Sequence, residues 1–194
     1  MGYLLFALRE ILPAAVLLIP FYCVLQRRVH LDMHRIVFYY LISCYLCGVY
    51  VLVGLPNITY FRFDFSGNLI PFRDMLNGLR STVQNVLLFV PLGLFLPFLD
   101  SKYRELKHTV GFGFFTSLCI ELLQIFTYRA TDVNDLIANT LGTFLGYVLA
   151  GLLMKRIPVL EKASLREDKR TMPILFGTAA CVMFFLQPFA VMLL

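Results

Sequence analysis

Charge is scarce in this sequence. Only 15% of its 194 residues are Asp, Glu, Lys or Arg, where a soluble domain carries nearer a quarter. With 59% hydrophobic residues and a mean hydropathy of +0.77, that scarcity excludes an ordinary soluble domain. It predicts an all-α integral membrane protein, a single membrane domain over residues 1–194. A disulfide framework is missing too. Cys23, Cys44, Cys47, Cys119 and Cys181 all fall in apolar segments, where they act as small hydrophobes. Cys44 and Cys47 make a CxxC without the βαβ context of a redox motif. No cleavable signal peptide is expected, because the first apolar run carries Arg9 and Glu10 and no small-residue cleavage site, and so reads as a retained helix. His30 and His34 lack the glutamate of HExxH, Gly111-Phe-Gly113 lacks a third glycine and a preceding strand, and no Ser/His/Asp arrangement can be argued. A net charge of +5 would suggest nucleic acid in a soluble protein. Here the positive charge lies mostly in short loops, so no nucleic-acid partner is expected.

What is present is six apolar runs, at 3–25, 36–55, 81–99, 109–127, 136–154 and 172–194. Each is near the roughly 20 residues a helix needs to cross hydrocarbon. The expected architecture is a bundle of about six transmembrane helices in the lipid bilayer. The loops at 26–35, 100–108 and 155–170 hold twelve of the seventeen basic residues, and the two alternate loops hold Arg62, Arg73, Arg80 and Arg129. The positive-inside rule then places the three basic loops in the cytoplasm and both termini outside. In the first outer loop, Phe72, Met75, Leu76 and Leu79 recur at helical spacing opposite Arg73, Asp74, Asn77 and Arg80. That pattern predicts a short amphipathic interfacial helix on the outer face, begun by Pro71.

Polar residues collect at one depth. Glu121 lies about six residues short of the outer end of the fourth run, roughly 9 Å below the interface at 1.5 Å per residue. Arg9 and Glu10 fall at a similar depth in the first run, Gln84 and Asn85 near the start of the third, and Asp135 and Asn139 in the first turns of the fifth. The inner half has almost no such residues. This predicts a polar cavity open to the outside, since ionisable groups in the membrane are buried in protein or water. Glu121 and Gln124 share a helix face at i, i+3. Asp132, Asp135, Asn139, Gly142 and Gly146 form one stripe, polar above and glycine below, and the GxxxG of Gly142 and Gly146 allows close helix approach. Plainer roles compete. Asp132 and Asp135 fit an N-cap and capping box, Glu121 fits a structural pair with Arg9, and Asn139 fits polar glue between helices.

Taken together, Asn68-Leu-Ile-Pro-Phe72, Asn85 with Phe89-Val-Pro-Leu-Gly93, Glu121-x-x-Gln124, Arg129-x-x-Asp132-x-x-Asp135 and Asn139-x-x-Gly142-x-x-x-Gly146 resemble the VanZ family of small bacterial membrane proteins. The resemblance covers residues 41–154 as a core, flanked by the first and last helices. It implies a bacterial cytoplasmic membrane, an envelope role, and a link to lowered susceptibility to teicoplanin-type glycopeptide antibiotics. It implies no catalytic mechanism.

The leading expectation is a ligand-binding cavity for a lipid head group or lipid-linked cell-wall precursor. Its expected residues are Arg9, Arg73, Asn85, Glu121, Gln124, Arg129, Asp132, Asp135 and Asn139. Arginines would meet phosphate, and the carboxylates and amides would meet amine, sugar or amide groups. The alternative is a membrane-embedded hydrolase or transferase with Glu121 and Asp135 as catalytic candidates. In that reading Glu121, Asp132, Asp135 and Asn139 offer oxygen donors for a divalent cation, with no other cofactor evident. A coupled transporter ranks last, for want of an inner polar path and an inverted repeat.

Overall fold

A computed structural model of the chain describes residues 2–29, 32–63, 67–73, 78–127, 129–157 and 170–193. Among the described residues are six α-helices: α1 (Gly2–Val29), α2 (Met33–Leu52), α3 (Leu79–Leu99), α4 (Leu106–Gln124), α5 (Val133–Arg156) and α6 (Thr171–Met192). All but α4 include a stretch long and apolar enough to cross a membrane. The 19-residue α4 is the segment expected as the fourth span. It falls short because Lys107 and His108 at one end and Glu121 and Gln124 at the other dilute its apolar middle. The chain divides into two units, residues 1–62 with 169–194, and residues 63–168.

In the first unit, side-chain and backbone hydrogen bonds tie the helices together. The Gln187 amide donates to the Glu10 carboxylate and, at 3.3 Å, to the Glu10 carbonyl, joining α6 to α1. Tyr22 and Ser43 share a 2.6 Å hydrogen bond between α1 and α2. The helix α6 carries a π-helical turn over Val182–Leu186. Pro188 has no N–H to give the Phe184 carbonyl, and that carbonyl accepts the Ile58 N–H at 3.1 Å instead. The end of α2 is a Schellman motif. Gly54 takes a φ of 66°, its N–H donates to the Val51 carbonyl, and the Leu55 N–H donates to the Tyr50 carbonyl, each at 3.1 Å.

In the second unit, α5 packs along α3 and beside α4. Glycine makes the α3–α5 approach possible. A carbon added at Gly93 would strike the Thr143 carbonyl, at Gly142 the Val86 carbonyl, and at Gly146 the Val90 carbonyl. The expected glycine stripe is therefore a backbone-to-backbone seam. Gly113 of α4 meets the Thr143 side chain in the same way. One feature not expected is a two-residue parallel pair, β1 (Gly67–Asn68) on β2 (Thr131–Asp132), with Gly67 opposite Thr131 and Asn68 opposite Asp132. The expected amphipathic helix lies largely at residues 74–77, outside the described residues. Its expected start is not helical: Pro71–Arg73 form a turn, and Phe72 sits at φ 63°.

Candidate functional site

The site grows from the start of α5. Asp132 is the N-cap, its Oδ1 accepting the Asn134 N–H at 2.9 Å, as the helix-end donors require. A capping box would have Asp135 reach back to the Asp132 N–H. Instead Glu121, buried on α4, accepts that N–H through Oε2 at 2.8 Å. Thr131 adds a second tie, its hydroxyl donating to the Glu121 carbonyl at 3.1 Å. The capping box thus forms between two helices, and Asp135 is released from it. Asp135 is half-buried, with the Asn85 side chain of α3 within hydrogen-bonding reach.

Two asparagines bring the 67–73 segment to this end of α5. The Asn68 amide donates to Asp132 Oδ1 at 3.2 Å, and Asn68 Oδ1 accepts the Ile70 N–H at 3.2 Å. Asn134, buried, clamps the next turn. Its Oδ1 accepts the Phe72 N–H at 2.7 Å, and its Nδ2 donates to the Arg73 carbonyl at 2.9 Å. Phe72 is an L-residue in the left-handed region, a conformation that costs about 1 kcal/mol or more and persists only where neighbours hold it. The Asn134 clamp is what holds it, and it sets Arg73 beside α5.

The result is a cleft of about 310 Å³ lined by Gly67, Asn68, Arg73, Gly78, Ser81, Thr82, Asp132, Asn134 and Asp135. Gly78 is the N-cap of α3, and a glycine there offers no side-chain cap. Uncapped N–H groups carry the positive end of the helix dipole. Arg73 and the α3 start thus form a positive side of the lining, and Asp132 and Asp135 a negative side. Ser81 and Thr82 donate their hydroxyls to the Gly78 carbonyl, at 2.7 and 3.2 Å, so their lone pairs face outward from that bond.

Of the nine residues expected to bind, Arg73, Asp132 and Asp135 line the cleft and Asn85 positions Asp135. Glu121 stands behind the lining as a brace for Asp132. The Arg129 guanidinium lies within electrostatic reach of Glu121 and Asp135, while the Arg129 backbone N–H donates to Thr127 Oγ1 at 3.3 Å. Gln124 is buried in α4 outside the lining. Asn139 points its amide at Ser117 of α4, 2.9 Å away, and Thr143 donates to the Asn139 carbonyl at 3.0 Å. That is the helix-glue role, and it places Asn139 outside the cleft lining as well. Arg9 belongs to α1, in the other unit. Among the described residues, no three His, Cys, Asp or Glu side chains are grouped to hold a metal ion. The expected donor set is divided, with Glu121 on a backbone N–H and Asn139 on Ser117. As for the catalytic pair, Asp135 faces the cleft and Glu121 does not.

Asn68 and Asn134 were not among the expected site residues. Their partners are backbone groups 61 and 62 residues away, or an aspartate 64 away. The sequence hints were Asn68 within the segment 68–72 that carries the family resemblance, and Asn134 at the second position of a helix.

Protein VanZ of Enterococcus faecium is 40% identical to the chain over 93 residues, 46% of this chain and 55% of that protein. The chain thus spans little more than half the length of that curated relative. No solved structure matches. Residues 36–154, which include the whole cleft, match the family described as VanZ/LLP1, and the chain is a multi-pass membrane protein belonging to that family.

Proposed function

We propose that the cleft binds the polar head group of a membrane lipid or lipid-linked cell-wall precursor on the outer face of a bacterial cytoplasmic membrane, and that occupancy influences glycopeptide susceptibility. The observation that carries this is the split lining. Arg73 and the uncapped start of α3 suit a phosphate, and Asp132 and Asp135 suit an amine or sugar hydroxyls. A volume of about 310 Å³ is at the small end of known ligand sites, the right scale for a head group without its chains. Orientation follows from charge. The far ends of α3, α4 and α5 carry Lys102, Arg104, Lys107, Lys155 and Arg156. That excess favours the cytoplasm and leaves the cleft and both termini outside. The Enterococcus faecium relative and the teicoplanin association of its family give the envelope setting.

The test pairs binding with phenotype. Arg73→Ala and Asp135→Ala proteins, expressed at wild-type levels, are expected to lose a co-purifying lipid identified by mass spectrometry. They are also expected to shift the teicoplanin susceptibility of the host. If both variants retain wild-type lipid content and susceptibility, the cleft is not the functional site.

A further inference from the structure

A second cleft lies at the opposite, basic end of the α3–α5 pair. Pro97, Arg104, Tyr147, Gly151, Met154 and Lys155 enclose about 230 Å³. Among the described residues, the lining holds two cations and no acid. Of the described acids close in sequence, buried Asp100 accepts the Lys102 N–H at 2.9 Å. Glu105 pairs with Lys107 at 2.9 Å and reaches His108 at 3.6 Å. Arg104 sits in a 3₁₀ turn, Ser101–Arg104, fixed at both flanks. The Tyr147 hydroxyl of α5 donates to the Arg104 carbonyl at 2.8 Å, and the Thr109 hydroxyl of α4 donates to the Tyr103 carbonyl. The floor is apolar, with buried Pro97 and with open space where Gly151 would carry a side chain.

We infer that this cleft is a binding site for an anionic glycerophospholipid, with Arg104 and Lys155 on the phosphate and the glycerol carbons over Gly151 and Met154. Basic clefts between helix ends at head-group depth attract anionic lipid, and the charged side chains reach that depth while their stems lie on apolar surface. The carbonyl end of α5 also favours Lys155 and Arg156. That preference explains a basic last turn, but not a concave surface that Lys155 shares with Arg104 from another element. A free anion would leave the apolar floor uncovered; a glycerol backbone covers it. The site is independent of the cleft proposed above.

The full chain in detergent would be offered equal phosphatidylglycerol and phosphatidylcholine with matched acyl chains, and the retained lipid counted by native mass spectrometry. Wild type is expected to retain phosphatidylglycerol by about tenfold over phosphatidylcholine, given two cations near the phosphate. The double variant Arg104→Gln, Lys155→Gln should bring the two lipids to near parity. Gly151→Leu should do the same by filling the floor while both cations remain, and it decides the matter if the double variant fails to fold. Asp135→Asn, in the first cleft, should keep the preference. Equal retention by wild type, an unchanged preference in Gly151→Leu, or displacement of the lipid by millimolar inorganic phosphate would overturn the assignment.

Discussion

Two stretches of α5 are held by opposite means. Along Gly142 and Gly146 there are no side chains, and the backbone of α3 lies directly against α5. About two to three turns earlier, at Asp132–Asp135, nearly every contact is a side chain reaching a backbone group: Glu121 to the Asp132 N–H, Asp132 to the Asn134 N–H, Asn134 to Phe72 and Arg73. The seam has no slack, because interiors are close-packed and steric overlap is steep. The bracing is directional and local, so it can aim particular residues while the seam fixes the axes. The cleft thus stands on a rigid pair of helices, and its lining is set by hydrogen bonds.

The sharpest way to break this contrast is to put a side chain in the seam. Gly142→Val or Gly146→Val should give the largest effect of any change discussed, since each added carbon meets a backbone carbonyl that no rotamer change can move. Overpacking costs typically 1–3 kcal/mol where side chains can yield. Here the loss should be about 3 kcal/mol or more, read as a collapse of the thermal midpoint or of the monodisperse yield in detergent. If either variant melts with wild type, the seam is looser than described.

Next in size is the brace. Glu121→Ala removes the acceptor of a partly buried N–H, and an orphaned group of that kind costs about 1–3 kcal/mol. Glu121→Gln keeps a side-chain oxygen at the same reach and should lose less than about 1 kcal/mol. Thermal midpoints of the two variants separate the roles. Equal losses would mean that the carboxylate charge, and not the hydrogen bond to the Asp132 N–H, is what the site needs.

How much of this was legible in the sequence follows the same division. The six helices and the glycine seam came through because length, apolarity and a four-residue glycine spacing are written locally. The polar end came through only in outline. Glu121, Asp132 and Asp135 were read as a group, yet the capping-box pattern pairs Asp132 with Asp135, and nothing local says that an acid from another helix takes the second half. Asn139 looked like a cavity residue because it shares a stripe with Asp135, but Ser117 draws it toward α4. Asn134 carried only a local signal, its place at the second position of a helix, since its partners are backbone groups of residues 72 and 73 and any sequence there has them. The count of spans was harder for α4, where the polar residues that matter most also lower its hydropathy.

Asn134 gives a more selective test. Asn134→Leu keeps the size but removes both bonds of the clamp, freeing Phe72 from its left-handed conformation. Relief of that strain, worth about 1–3 kcal/mol for such residues, offsets part of the two lost hydrogen bonds at roughly 1 kcal/mol each. Stability should therefore change by less than in Glu121→Ala, while Arg73 loses its placement and lipid retention falls toward that of Arg73→Ala. A variant with wild-type lipid content would show that the turn at Phe72 is held by something other than Asn134.

The smallest effect belongs to glycines outside the seam. Gly111 of α4 and Gly151 of α5 face open space where a side chain would begin, so Gly111→Ala and Gly151→Ala meet no neighbour. Both sit in helices, where alanine is favoured over glycine by up to about 1 kcal/mol. Each should hold or slightly raise the thermal midpoint, opposite in sign to the seam glycines Gly142 and Gly146 of α5. A loss at Gly151 comparable to that at Gly146 would show that the sensitivity of α5 follows glycine itself, through helix flexibility, and not the backbone approach of α3.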